Sequence, residues 1–182
     1  MKNNLSYEEI AKTIKSQKKW LIVSHVRPDA DAYGSSCGLK LILDKLNIVS
    51  SVVNETENKD RYQVIPYADR VLNSISDESW DGVIVCDCGD RKRVGDLFLP
   101  IIEKLPLLIN IDHHVSNNLF GTHNLVIPTA SSTSEIIFDL SKALGVQLDG
   151  DMSTALFAGI AGDTGSFKYQ STTADTFTIG AE

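Results

Sequence analysis

An α/β fold, a mostly parallel sheet with helices on both faces, is what the sequence predicts, and three observations predict it. Apolar runs of strand length recur at WLIVS (20–24), GVIVC (82–86) and LLINI (107–111), without the alternation of a strand that keeps one face wet. The segments between them are helical in spacing or loop-like, the pattern of crossover units. Each run also stops at side chains a core has no use for: His25 after the first, Asp87 after the second, and Asp112, His113 and His114 after the third. Open α/β sheets bind ligands in the crevice beyond the carboxyl ends of their strands, so these residues are candidates for a site.

Taken in order, Ser6 with Glu9 three residues on is a capping box. Tyr7, Ile10, Ala11 and Ile14 follow at i, i+3, i+4 and i+7, so an amphipathic helix opens the chain and ends near Gln17. After the strand at Trp20–Ser24, HVRPDADAYGSS reads as a loop on its Pro28 and its small and acidic residues. It feeds a helix starting near Gly34, with Leu39, Ile42, Leu43 and Leu46 on one stripe. Ser50–Val53 is a second strand, NETENKDRY a surface loop, and residues 64–75 carry no assignable pattern. Beyond GVIVC, CGDRKRVG is a charged, turn-rich loop, and Leu97–Leu105 a short helix with Pro100 tolerated in its first turn. LLINI is then the fourth strand. The chain runs on through Gly121 and Pro128 to a helix opened by a second capping box, Ser132 with Glu135, striped by Ile136, Ile137, Leu140 and Leu144, and closed by Gly145. Met152–Ala161 is apolar nearly all round, which predicts a helix buried in the body of the domain, with Asp163 just past it. TTADTFTIGAE looks like a helix just begun, and this ending points to a further domain beyond it.

Composition narrows the function. At 182 residues the chain suits one well-buried domain, and 42% hydrophobic with 23% charged residues is ordinary for a soluble protein. A formal net charge of −7 argues against a non-specific nucleic-acid coat or a membrane-surface protein, though not against a local nucleotide site. The N-terminus MKNNLSYEEI has no apolar signal core and no run approaches a membrane span, so the expected location is cytoplasmic. Three cysteines, Cys37, Cys86 and Cys88, form no framework spacing and fit a reducing compartment.

The strand ends collect His25, Asp29, Asp31, Asp87, Asp112, His113 and His114, and Asp163 follows the apolar helix. Asp29, Asp31, Asp87 and Asp163 could not stay ionised together in one cleft without counter-charge. Two divalent cations supply it: these four aspartates contribute −4 of the formal −7. Oxygen and imidazole ligands without thiolate suit Mn²⁺, or Mg²⁺ or Co²⁺ in its place, better than a structural zinc. In this reading His25 and Asp29 address one metal, Asp31, His113 and Asp163 the other, and Asp87 bridges the two. The chemistry such a pair favours is hydrolysis at phosphorus by a hydroxide held between the metals. His114 would face the substrate, with Asp112 orienting a histidine from behind. Amides at the start of the helix after Gly34, Ser35 and Ser36 would offer an anion site, and Arg27 and Ser132 are further candidate substrate contacts. Arg91, Lys92 and Arg93 read mainly as a solvated loop and His123 as a surface residue. Alternation turns Cys86 and Cys88 to the face opposite Asp87, away from any metal.

Four motifs, SHVRPDADAYGS, VCDCGD, NIDHHVSN and GIAGDTGSF, together resemble the DHH phosphoesterase superfamily over essentially the whole chain. The resemblance implies metal ligands at His25, Asp29, Asp31, Asp87, His113 and Asp163, the set chosen above on chemistry. PTASSTSEII and the compact spacing look most like the branch of small oligoribonucleases that also dephosphorylate 3′-phosphoadenosine 5′-phosphate (pAp). Proteins of that branch continue into a smaller C-terminal domain, DHHA1, to which nothing in residues 1–182 corresponds, so the chain is expected to be the DHH domain alone. A homodimer is a further implication of the resemblance, with no other stable protein partner expected. The expected function is a Mn²⁺-dependent phosphoesterase acting on very short RNA and pAp. The competing readings are a manganese-dependent pyrophosphatase, a cyclic-dinucleotide phosphodiesterase, and a nucleotide-binding regulatory module without catalysis.

Overall fold

The computed structural model describes residues 4–56, 59–75 and 79–182. Its elements are α1 (Tyr7–Lys15), β1 (Lys19–Val23), α2 (Ala30–Lys45), β2 (Val49–Val53), β3 (Gly82–Cys86), α3 (Leu99–Ile102), β4 (Leu108–Asp112), β5 (His123–Val126), α4 (Thr133–Leu144), α5 (Gly150–Asp163) and α6 (Ala174–Ala181), with short 3-10 turns between them. All strand pairs are parallel, in the order β2-β1-β3-β4-β5. In this doubly wound order the chain reverses direction across the sheet between β1 and β3, and a crevice opens there at the strands' carboxyl ends.

Strand alternation divides the interior into two cores. Trp20, Ile22, Ile84, Cys86, Ile109 and Ile111 face the larger, built with α1, α2, α4 and α5. Leu21, Val23, Val83, Val85 and Leu108 face the smaller, where Trp80, Val94, Phe98 and Ile102 close over the sheet. The first capping box forms as its residues require: Ser6 Oγ accepts from the Glu9 amide, and Glu9 Oε2 accepts from the Ser6 amide at 2.9 Å.

Several sequence expectations need correction. A fifth strand, β5, follows the histidines. HNLV is short and half polar, and its free edge is satisfied by the N-terminal segment: Val126 N donates to Asn4 Oδ1 (2.7 Å) and Leu5 N to Asn124 O (2.7 Å). The second helix begins at Ala30 rather than near Gly34, because Asp29 is its N-cap and accepts from the amides of Asp31 and Ala32. The helix buried all round is this one, with every residue from Asp31 to Lys40 buried, whereas α5 leaves Phe157 46% exposed. Small residues account for the exchange. A Cβ on Gly34 would lie 2.6 Å from Ala155 O, so α2 sinks between the sheet and α5 by lacking side chains there, which a hydropathy pattern does not reveal.

Within the charged loop, Arg91–Val94 forms a 3-10 turn capped by Asp90. Residues 64–75 contain the 3-10 turn Ala68–Arg70 and a bridge from Leu72 to Val53 that extends the sheet edge. Of the loop NETENKDRY, residues 57 and 58 lie outside the described residues, and Lys59–Tyr62 is a 3-10 turn. The second capping box is only half made. Ser132 Oγ caps the Glu135 amide, but the Glu135 carboxylate turns to Ser131 (2.6 Å) and Thr176 (3.0 Å), tying α6 to α4.

Candidate metal centre

Each strand end delivers its side chain by a specific backbone device. After β1, His25 Nδ1 lies 2.9 Å from Val26 O, which assigns the proton to Nδ1 and leaves Nε2 facing the cleft. There Nε2 is 3.4 Å from Asp87 Oδ2 and 3.8 Å from Asp29 Oδ2. After β3, Asp87 takes a left-handed backbone (φ 55°), held by its amide on Ile111 O (3.0 Å). That turn has a second effect, because alternation fails across it: Cys86 packs in the larger core and Cys88 in the smaller, rather than both on one face. All three cysteines are free and buried.

Asp31, on the first turn of α2, is fully buried, and its two oxygens accept from the amides of Thr133 (2.7 Å) and Ser134 (2.9 Å) at the N-terminus of α4. Positive partial charge at that terminus favours a carboxylate there. Thr133 Oγ1 also donates to Asp87 Oδ1 (3.0 Å). The sequence carries no signal for Thr133, only for the cap Ser132 beside it. Asp163 ends α5, and α5 reaches the site because Gly159 has no side chain: a Cβ would fall 2.8 Å from Asp31 Oδ1.

The two histidines that follow Asp112 differ in kind. His113 Nε2 stands 3.0 Å from Asp163 Oδ2 and 3.7 Å from Asp87 Oδ1, is buried, and makes no hydrogen bond of good geometry. An orphaned buried nitrogen aimed between carboxylates is what a metal ligand looks like without its metal. His114 instead has Nδ1 2.7 Å from Asp112 Oδ1, so the nitrogen that also lies 3.7 Å from Asp87 is already engaged.

Three sets of side chains are spaced to hold a cation: His25, Asp29 and Asp87; Asp31, His113 and Asp163; and Asp87, His113 and His114. The first two are disjoint, and the third joins Asp87 to the second set. Without cations, protons balance the charge. Burial works against a charged His25, but the Asp29 and Asp87 carboxylates outweigh it and push its pKa up to about 10. Burial likewise opposes His113, yet Asp163, Asp31 and Asp87 lift it to about 9. Asp29 goes the other way, held at about 2 against its burial by His25 and the amides of Ala32 and Asp31. Burial, then Asp87 and Asp163, push Asp31 well above the usual carboxylate range. Asp112 raises His114.

The remaining candidates divide. Arg27 is exposed on the rim, its amide on Thr56 Oγ1 (2.8 Å). Val26 N donates to Arg93 O (2.7 Å), which brings the exposed Arg91–Arg93 turn alongside, with Arg91 paired to Glu103 at 3.5 Å. Ser132 is corrected: it is fully buried and spent on capping α4, out of a substrate's reach. The anion site expected at Gly34–Ser36 does not form either, because those residues lie inside α2 and their amides belong to the helix. His123 starts β5, half-buried, with Nδ1 3.2 Å from Thr122 Oγ1.

Fold and site together define a parallel α/β protein with a carboxylate–imidazole centre at its topological switch point. The chain belongs to the DHH family, whose N-terminal domain matches residues 19–160. It is 34% identical over 183 residues to the bifunctional oligoribonuclease and PAP phosphatase of Bacillus subtilis, covering 96% of this chain and 55% of that protein. It is 26% identical to a probable manganese-dependent inorganic pyrophosphatase of Streptococcus thermophilus, covering 90% of this chain and 54% of the relative. The crystal structure of an exopolyphosphatase-related protein from Bacteroides fragilis superposes with a TM-score of 0.87 at 28% identity, over 96% of this chain and 54% of that one. The chain thus spans about half the length of the relatives it matches.

Proposed function

We propose that the protein is a metal-dependent phosphoesterase that hydrolyses short oligoribonucleotides and pAp, with two Mn²⁺ ions as its cofactor. The observation that carries the reading is the pair of disjoint ligand sets, His25/Asp29/Asp87 and Asp31/His113/Asp163, brought together with Asp87 close to both. The similarity to an oligoribonuclease and PAP phosphatase supports the substrate class. Two divalent cations at these groups would supply positive charge opposite the phosphate and activate water at neutral pH. The chain's own contribution is positional. Backbone amides fix both oxygens of Asp31, Thr133 fixes one of Asp87, and Val26 O orients His25 so that its free nitrogen meets the acids. His114, its Nδ1 committed to Asp112, would use its other nitrogen to neutralise or protonate a phosphate oxygen. Arg27 on the rim would meet a second phosphate.

The test is turnover in Mn²⁺ of an RNA dinucleotide, a longer RNA, pAp, a cyclic dinucleotide and pyrophosphate. Turnover of the dinucleotide and pAp is expected, and Asp87→Ala should abolish it while leaving the thermal unfolding transition cooperative. Unchanged turnover in that variant contradicts the reading. Hydrolysis of pyrophosphate alone would favour the second reading, a manganese-dependent pyrophosphatase, which rests on the Streptococcus relative.

A further inference from the structure

Behind His114 and Asp112 stand two asparagines, Asn110 buried and Asn117 half-buried, that the proposed reaction does not otherwise involve. Asp112 is fully buried on the same face of β4 as Asn110, also fully buried. Its Oδ1 takes His114 Nδ1 (2.7 Å), and its Oδ2 takes Asn117 Nδ2 (2.6 Å). We infer that Asn117 is a positioning residue that sets the tautomer and orientation of His114 through Asp112, with Asn110 holding Asn117 in place. The purpose of that positioning rests on the phosphoesterase reading, but its geometry does not.

The direction in which each side-chain amide points is set by its neighbours. Asn117 Oδ1 accepts from the Leu119 amide (2.7 Å), so only its NH₂ is left to face Asp112 and Asn110 Oδ1 (2.8 Å). Asn110, accepting there, must donate on its other side, and its Nδ2 meets the carbonyls of Cys88 (3.1 Å) and Val85 (3.4 Å). Backbone groups at both ends therefore fix every orientation in this hydrogen-bonded chain. Ionised Asp112 can only accept, so the proton between it and His114 belongs to Nδ1, and Nε2 becomes the nitrogen a substrate meets. The fixing matters because a second acid competes: Asp87 Oδ1 is 3.7 Å from the same Nδ1. If Asp112 were free to swing, the imidazole would have two carboxylates to choose between. Asn117 removes the choice by tying Oδ2 to β4 and to the loop after β3.

Asn117→Ser is the informative variant. A serine hydroxyl still accepts from the Leu119 amide and so keeps the turn, but it is too short to reach Asp112. Three readouts are taken on the full chain. In Mg²⁺ with isotope-labelled histidine, the nitrogen spectrum should show His114 as a single Nδ1–H tautomer in the native protein and as a mixture in Asn117→Ser. With an RNA dinucleotide in Mn²⁺, kcat should fall about 10- to 100-fold, the usual cost of losing a partner behind an active side chain, with KM unchanged. On a His114→Ala background the same substitution should cost nothing further. Asn117→Ala is the second variant, expected to give the same His114 spectrum. A His114 spectrum unchanged in both variants overturns the inference, as does a kcat loss carried undiminished onto the His114→Ala background. Should the native protein hydrolyse no phosphate ester, the functional reading falls while the histidine spectrum still decides this one.

Discussion

Asp87 is the residue on which the site turns, facing His25, His113 and His114 from one left-handed backbone position. It was legible from sequence, as were His25 and His113, because an acid or imidazole at the end of an apolar run stands out. Thr133, Asn110 and Asn117 were not. A threonine beside a cap and asparagines on a strand and in a turn are ordinary: Thr133 and Asn110 bond to groups 46 and 22 residues away, and Asn117 meets Asp112 and Asn110, only five and seven residues off, through a turn that spacing does not reveal. The titrating residues make a prediction with a definite sign. In the metal-free protein His25, lifted to about 10, contributes stability that is full below its unfolded value and lost as pH rises through about 10; His113, at about 9, acts the same way. The metal-free melting midpoint should therefore fall between neutral pH and pH 10. Binding of Mn²⁺ should show the reverse trend, tightening from pH 6 up to about pH 10, because the cation must displace the protons that His25 and His113 hold in the metal-free protein. Calorimetric titrations and melts across that range check both slopes, and a flat profile in each would contradict the assignment of these histidines.

At the level of elements, the site depends on how closely α2, α4 and α5 approach. Asp31 is held between the amides of α4 and the bare backbone of Gly159 on α5, and Gly34 lets the two long helices meet. Gly159→Ala should cost about 1–3 kcal/mol of stability, as overpacking does. It should also weaken Mn²⁺ binding, since the added methyl would press on Asp31 and Ser134. Chemical denaturation and a metal titration of the variant read the two effects, and a variant as stable and as tightly metal-binding as the native protein would count against this packing. Four strands and all six helices are legible in the sequence, α1 and α4 most plainly from their caps and periodicity. β5 was missed because its edge is closed by the distant Asn4 and Leu5. The buried helix was misplaced because α2 achieves burial with Gly34, Ser35, Ser36 and Gly38, whose small size does not register as hydrophobic.

For the molecule as a whole, the parallel order β2-β1-β3-β4-β5 gathers strand ends that lie far apart in sequence into one crevice, so a protein acidic overall brings carboxylates and imidazoles together where a cation would be held. None of the helices among the described residues is long and apolar enough to cross a membrane. Cations that bind the folded chain alone should stabilise it by mass action, about 2.7 kcal/mol at a hundred times the dissociation constant, and chelation should reverse the gain. In the proposed function two cations would sit side by side at Asp87. Anomalous diffraction at the manganese edge, from crystals grown with Mn²⁺, tests it most directly. Two peaks about 3.5–4 Å apart, both in contact with Asp87 and flanked by His25 with Asp29 and by Asp31 with His113 and Asp163, are expected. A single peak, or a pair away from Asp87, would contradict it.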